Sequence, residues 1–298
     1  MKTVSVLIKR NVKLFFKDKG MFFTSLITPA ILLVLYATFL SNIYRDSFTA
    51  SLPFGFSLSE DLLDGLVGGQ LISSILAVSC VTVAFCSNFL MVQDRANGTA
   101  RDLRMTHVGS ATLSVSYYVA TLISTLTVCL TAMAVCLGYI AVIGWFLSLA
   151  DVLLLLADVF LLVMFGTALS SVIGFFLSTQ GQISAVGTII SAGYGFICGA
   201  YMPISSFGEG LRNVVAFLPG TYGTSLLRRH ALQSVFAEMA EAGLPDAAVS
   251  GMMDAVDCTV YLFGNAVPNY VMYLIPCGAT LLLLGVYVLL NACRKKDK

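Results

Sequence analysis

Residues 93–109 (QDRANGTARDLRMTHVG) gather Asp94, Arg95, Arg101, Asp102, Arg104 and His107 between two long apolar runs. Carboxylates and guanidinium groups at this density can form charge-assisted, geometrically specific hydrogen bonds with another polar surface. They do not make a reaction centre. The chain has no GxxxxGK[ST] phosphate loop, no HExxH, no GxSxG and no Rossmann fingerprint. His107 and His230 are the only histidines, and His107, with no second metal-type ligand nearby, reads as a loop residue. The cysteines show no CxxC or Cys/His spacing and mostly sit inside apolar runs, where they read as small packing residues. The chemistry on offer is recognition, with no metal or directly bound cofactor expected.

The surroundings of that loop decide what it can recognise. Of 298 residues, 58% are hydrophobic and 11% charged, against about 45–50% apolar and about 25% charged in a soluble domain. The solvent is therefore a bilayer. A crossing helix needs roughly 20 mostly apolar residues to cover about 30 Å of hydrocarbon, and about six such runs can be drawn. They are 21–41, 71–92, 116–146, 151–177, 183–201 and 269–292. The expected fold is one all-α polytopic membrane domain over 1–298. Its net charge of +1 is divided among short segments, which gives nucleic acid no patch to bind.

Residues 4–17 put Val4, Leu7, Ile8, Val12, Phe15 and Phe16 on one broad face and Lys9, Arg10, Lys13 and Lys17 on the other. This is the pattern of an amphipathic helix resting in the headgroup layer of membrane lipid; a plain charge run that sets orientation is the other reading. Pro29 is expected to bend the first span, and 42–70 reads as an acidic loop. Asp158, inside the fourth span, is either an interfacial acid with a partner or a functional carboxylate. Gly187, Ser191, Gly195 and Gly199 recur every four residues and form a small-residue stripe. Such a stripe admits a close helix–helix contact, at a subunit interface or within one subunit.

Residues 203–232 are apolar but broken by Pro203, Gly208, Gly210, Pro219, Gly220 and Gly223, which suits short helices that enter and leave one leaflet. The stretch 233–268 carries acids but no lysine or arginine, and reads as a solvated helical loop split at Gly243 and Pro245. The region 203–267 is thus expected to form outer re-entrant helices and an extracellular loop. Basic residues gather in the amino-terminal segment, the 93–109 loop and the tail after 292. By the positive-inside rule those parts face the cytoplasm, with both termini inside.

Three stretches carry a resemblance. Arg10, Asp18 and Pro29 mark the opening; Asp94, Arg95, Gly98 and Thr99 are followed by Thr106, His107 and Val108; and Gly199 and Pro203 are followed by Leu211, Pro219, Thr221, Tyr222 and Arg228. In this order they resemble the permease (transmembrane) subunits of type 2 ATP-binding cassette exporters, over nearly the whole chain. That family's cytoplasmic loop reads like E-R-x-x-G-T, then T-P-V-S, so Asp94 stands for its Glu and His107 for its Pro. Gly208 stands where the family often has proline.

The resemblance implies a bacterial cell-membrane exporter of a hydrophobic or amphiphilic compound, such as a drug, an antimicrobial peptide or a lipid-linked molecule. Two permease subunits, identical or homologous, would each dock on a cytoplasmic ABC-type ATPase, and the two ATPase copies would bind ATP and Mg. Asp94, Arg95, Gly98, Asp102, Arg104 and His107 would couple to that ATPase. Pro203, Pro219 and Tyr222 would form an outer gate. The second and fifth spans would line a central cavity, with Phe85, Phe89, Tyr194 and Phe196 on the substrate pathway. Two other classes are compatible with the composition: a secondary transporter or channel, which calls for inverted repeats and charged midplane residues, and a non-transporting membrane sensor or scaffold.

Overall fold

The computed structural model describes residues 2–50, 58–106 and 108–293; His107 and the basic tail from Arg294 lie outside them. Helix α1 (Lys2–Lys17) buries Leu7, Asn11 and Phe15 and leaves Lys9, Lys13 and Lys17 exposed, as its amphipathic pattern requires. Asp18 then caps α2 (Lys19–Leu35), accepting from the Met21 amide at 3.1 Å. The helix continues through Pro29 into a π-helical turn (Tyr36–Leu40) and α3 (Ser41–Ala50).

The acidic loop expected over 42–70 is largely helical instead. Ser59 accepts from the Leu62 amide, and Glu60 and Asp61 fill the first turn of α4 (Glu60–Ala96), where negative charge suits the exposed amides. Leu62, Leu63 and Leu66 of this stretch are buried. Arg45 of α3 pairs with Glu60 at 2.9 Å and with Asp64, so the acids are held on helices.

Helix α4 is the centre of the protein. In its most apolar stretch 89% of residues are buried within the chain, against 17% for the last helix, α12 (Asn269–Cys293). It packs against α2, α6 (Ser110–Ile143), α7 (Leu149–Phe176), α8 (Gln180–Ile197) and α10 (Pro219–Glu241). Small residues permit this crowding, since close backbone approach is the main packing device where lipid removes the hydrophobic incentive. The Gly166 position of α7 lies against the Cys80 carbonyl and Val81 Cα of α4, and Gly69 of α4 lies against Ala231 and Leu232 of α10. The hydroxyls of Ser73, Ser79 and Thr82 bond to the carbonyls of Gln70, Ile75 and Val78, which satisfies them without a partner helix.

After α4, a short α5 (Thr99–Met105) precedes α6. Helix α7 opens on a capping box between Ser148 and Asp151, and Gly199, at φ +75°, closes α8. A 3-10 turn (Ile204–Ser206) and α9 (Glu209–Ala216) lead into α10, with Pro219 at its start, where a missing N–H costs nothing. Helix α10 runs unbroken past Leu232 to Glu241, so the division expected there between broken apolar helices and a solvated loop is absent. The reason is packing: Leu232, Val235, Phe236 and Met239 are buried. Gly243 (φ +90°) turns the chain into α11 (Asp246–Ala255), and a hairpin of β1 (Tyr261–Leu262) and β2 (Asn265–Ala266) precedes α12.

Among the described residues five helices are long and apolar enough to cross a membrane: Lys19–Asp46, Glu60–Ala96, Ser110–Ile143, Leu149–Phe176 and Asn269–Cys293. Helix α8, which the sequence suggested as another, opens on Gln180, Gly181 and Gln182 and is more polar. All eight cysteines are free, and six are buried. Burial pushes the Cys258 thiol up to about 12, in keeping with a packing role.

A Cβ at Gly166 would come within 2.7 Å of the Cys80 carbonyl oxygen and 3.1 Å of the Val81 Cα, both backbone atoms that cannot swing aside. Gly166→Leu should therefore destabilise the protein by about 1–3 kcal/mol through overpacking. Thermal unfolding in detergent measures this, and an unchanged midpoint would contradict the close α4–α7 contact.

Candidate functional site

At the α1 end of the bundle, the last turn of α4 is tied to three helices. Asp94 is 7% exposed and accepts from Arg10 of α1 at 2.7 and 3.3 Å and from the Tyr117 hydroxyl of α6 at 2.5 Å. The Arg10 guanidinium also donates to Asn11 at 2.8 Å. Its hydrogen bond to Asp94 outweighs partial burial and raises the Arg10 pKa. The neighbouring Arg95 turns the other way. It donates to the carbonyls of Gly174 and Phe175 at 2.9 and 3.0 Å and lies 5.6 Å from the Phe175 ring centre. Those carbonyls lie in the last turn of α7, where a cation suits the negative end of the helix dipole.

Asp94 and Arg95, expected at a contact with another protein, are thus aimed inward as braces. The exposed part of the island lies beyond them. Gly98, at φ +82°, takes a left-handed turn that carries the chain into α5. There Arg101, Asp102 and Thr106 are exposed, Arg104 is half-buried and Met105 is 71% exposed. His107 lies outside the described residues.

At the opposite end a second ionic cluster closes the broken region. Arg228 of α10, completely buried, donates to the Asp257 carboxylate at 2.9 Å, to the Val256 carbonyl at 3.2 Å and to the Gly199 carbonyl at the end of α8. Asp257 in turn accepts from the amides of Ile204 and Ser205 at 2.6 and 2.9 Å. One ion pair therefore fastens α8, the 3-10 turn, α10 and the end of α11. The residues expected at an outer gate are close by but packed. Tyr222 is 1% exposed and lies among Ala216, Leu226, Val260 and Met272, Pro203 precedes the 3-10 turn and Pro219 opens α10.

Asp158 has its partner within the chain. Its carboxylate meets His230 Nδ1 at 2.5 Å, and Tyr273 of α12 lies 3.2 Å from His230 Nε2. Asp151, two turns earlier on α7, accepts from Ser234 at 2.5 Å. A lone acid in an apolar run signals that a partner exists, but only the fold identifies it as His230.

A cavity of about 1060 Å³ opens between α2, the second half of α4 and α8. Phe89, Phe196, Gly187 and Ser191 line it, with Asp18, Gln93 and Gln180 adding polar groups to mostly apolar walls. The other two aromatic residues expected on a substrate pathway do not line this cavity. Phe85 is 2% and Tyr194 7% exposed, both within the core, because α4 and α8 turn those faces toward the bundle. The small-residue stripe meets side chains within the chain. Gly187 sits against Phe89, the Tyr201 ring covers Gly195, and the Tyr201 hydroxyl bonds to the Ser191 carbonyl at 3.4 Å.

A central helix braced by its neighbours and followed by an exposed short helix, among five helices long and apolar enough to cross a membrane, is the architecture of a polytopic membrane protein. A family model for the ABC-2 type transporter matches residues 2–230. The chain belongs to that family, the permease subunits of type 2 ABC transporters, which work with an ABC ATPase. A comparison with curated proteins gave no match.

Arg228→Met leaves the Asp257 carboxylate buried without its cation and frees the Gly199 carbonyl. Breaking such a pair from one side costs about 3–5 kcal/mol. Chemical unfolding in detergent should show a loss of that size, and a variant as stable as the wild type would show that the cluster is not what fastens this end.

Proposed function

We propose that the chain is the membrane-spanning subunit of an ATP-driven exporter for a hydrophobic or amphiphilic compound. The observation that carries this reading is α5, an exposed charged helix joined through Asn97 and Gly98 to a central helix whose last turn is clamped by Arg10 and Tyr117. Such a part can receive a push and pass it on. The ATPase would dock on Arg101, Asp102, Arg104, Met105 and His107, while Asp94, Arg95 and Gly98 transmit the movement into α4. ATP and Mg belong to the two partner ATPases, and ATP drives the cycle because it binds one arrangement of the assembly more tightly than the other.

In this reading α8 makes the sixth crossing, since its 18 residues rise about 27 Å. Both termini then face the cytoplasm, in agreement with the basic residues of α1 and the tail. A second permease subunit covers the α2/α8 cavity across the Gly187 and Ser191 face. The mixture of apolar wall and a few polar side chains suits an amphiphile, and the packed residues around Pro203, Pro219 and Tyr222 serve as the closed outer gate.

Two experiments test this. Arg101→Glu combined with Arg104→Glu, coexpressed with the cognate ATPase, should insert normally yet lose efflux and substrate-stimulated ATP hydrolysis; unchanged efflux and stimulation would sink the coupling assignment. Ser191→Cys should form a disulfide-linked permease pair under mild oxidation, whereas Leu282→Cys, on the exposed side of α12, should not. Equal crosslinking of the two would remove the α8 face as the subunit contact.

A further inference from the structure

A second hollow, of about 480 Å³, runs between α2 and α6. Pro29 and Leu33 form one wall, Val128 and Ala132 the other, and Ile75 of α4 the back. Thr127 and Thr131 also face it, but each hydroxyl donates to a carbonyl of its own helix at 2.8 Å, so the lining they add is apolar. The lining positions on α6 extend from Thr127 to Tyr139, a rise of about 18 Å. One leaflet's share of the hydrocarbon core is about 15 Å. The groove is therefore as long as the hydrocarbon of a single leaflet.

Its end lies at the elbow between α1 and α2, where Phe16 and Phe22 line it with ring centres 5.8 Å apart. Lys13 precedes Phe16 by three residues and shares its face of α1. Lys9 lies one turn further back, and Lys17 and Lys19 flank the elbow. All four are exposed, and none takes part in the ion pairs formed among the described residues. Asp18, the acid at this elbow, is engaged in capping α2. An apolar groove one leaflet long thus ends beside a cluster of cations that have no carboxylate partner among the described residues.

We infer that the α2/α6 groove is a binding site for an acyl chain of an anionic phospholipid, whose headgroup phosphate is held by Lys13 and Lys17. A groove in a bilayer gains nothing from hydrophobicity alone, because lipid tails are already in an apolar solvent. Preference for one lipid must come from shape and from headgroup charge, and both are present here. The bound lipid would also hold α1 at its angle to α2. Since α1 carries Arg10 to Asp94, the lipid belongs to the same mechanical unit as the end of α4.

The test uses the full chain, extracted in mild detergent from vesicles of phosphatidylcholine with a minor fraction of phosphatidylglycerol, and counts retained lipid by native mass spectrometry. The wild type should retain phosphatidylglycerol above its share in the vesicle. Replacing Lys13 and Lys17 together by Gln should lower that excess about 25-fold, roughly fivefold per basic residue. Ala132→Trp, which fills the groove, should abolish retention, while Leu282→Trp, at a lipid-facing position of α12 that is 66% exposed, should not. The inference fails if the wild type retains both lipids in vesicle proportion, if the lysine pair can be removed without effect, or if Leu282→Trp loses lipid as Ala132→Trp does. If Ala132→Trp does not fold, the lysine pair, which leaves the groove intact, decides alone.

Discussion

Helix α4 is enclosed by other helices along most of its length, and the arrangement of those helices follows from that constraint. A polar group on a helix surrounded by protein and lipid must find its partner inside the structure. Ser73, Ser79 and Thr82 close on carbonyls of α4 itself, so they accept any apolar neighbour. Asn88 and Asp94 cannot. Asn88 donates to the Ser170 carbonyl of α7 at 2.5 Å, and Asp94 requires Arg10 and Tyr117. These two residues therefore specify neighbours, whereas the glycines and serines only permit them.

The two ionic clusters differ in a way that suits different tasks. Burying an ion pair contributes little net stability, because desolvation offsets the attraction, yet removing one partner is costly. Such pairs are better understood as devices of position. Arg228 has no exposure and gathers carbonyls from separate segments, which makes it a fixed staple. The Arg10 side chain is 29% exposed, so water can take its place during a movement. On the proposed reading, the fixed pair lies at the outer end and the exchangeable one beside the coupling helix. Packed interiors switch between arrangements rather than stretching, and a 37-residue helix about 55 Å long connects the two ends.

Much of the architecture was legible in the sequence. The amphipathic face of α1, the apolar lengths of the long helices, the last span and the island between α4 and α6 all come from local pattern. So did the family, because its motifs lie in order along the chain. The extent of α3 and the first turns of α4 was not legible: Glu60, Asp61 and Asp64 read as loop residues until Ser59 caps the helix and Arg45 neutralises its first turns. Helix α10 was obscured likewise, since the glycines that argue for breaks are sites of close contact; Gly223, for example, lies against Leu162.

The sequence by itself determined that this is a helical membrane protein with a charged loop at one end, because hydrophobic length and charge placement are properties of single segments. Only the tertiary structure decided the direction in which the charges point. Asp94 and Arg95 are adjacent in a helix, so their side chains leave it about 100° apart, one toward α1 and α6 and the other toward α7. The pairing of Asp158 with His230 and of Arg228 with Asp257 was likewise open. A buried charge announces that it needs a partner, but which residue answers is set by how the helices cross.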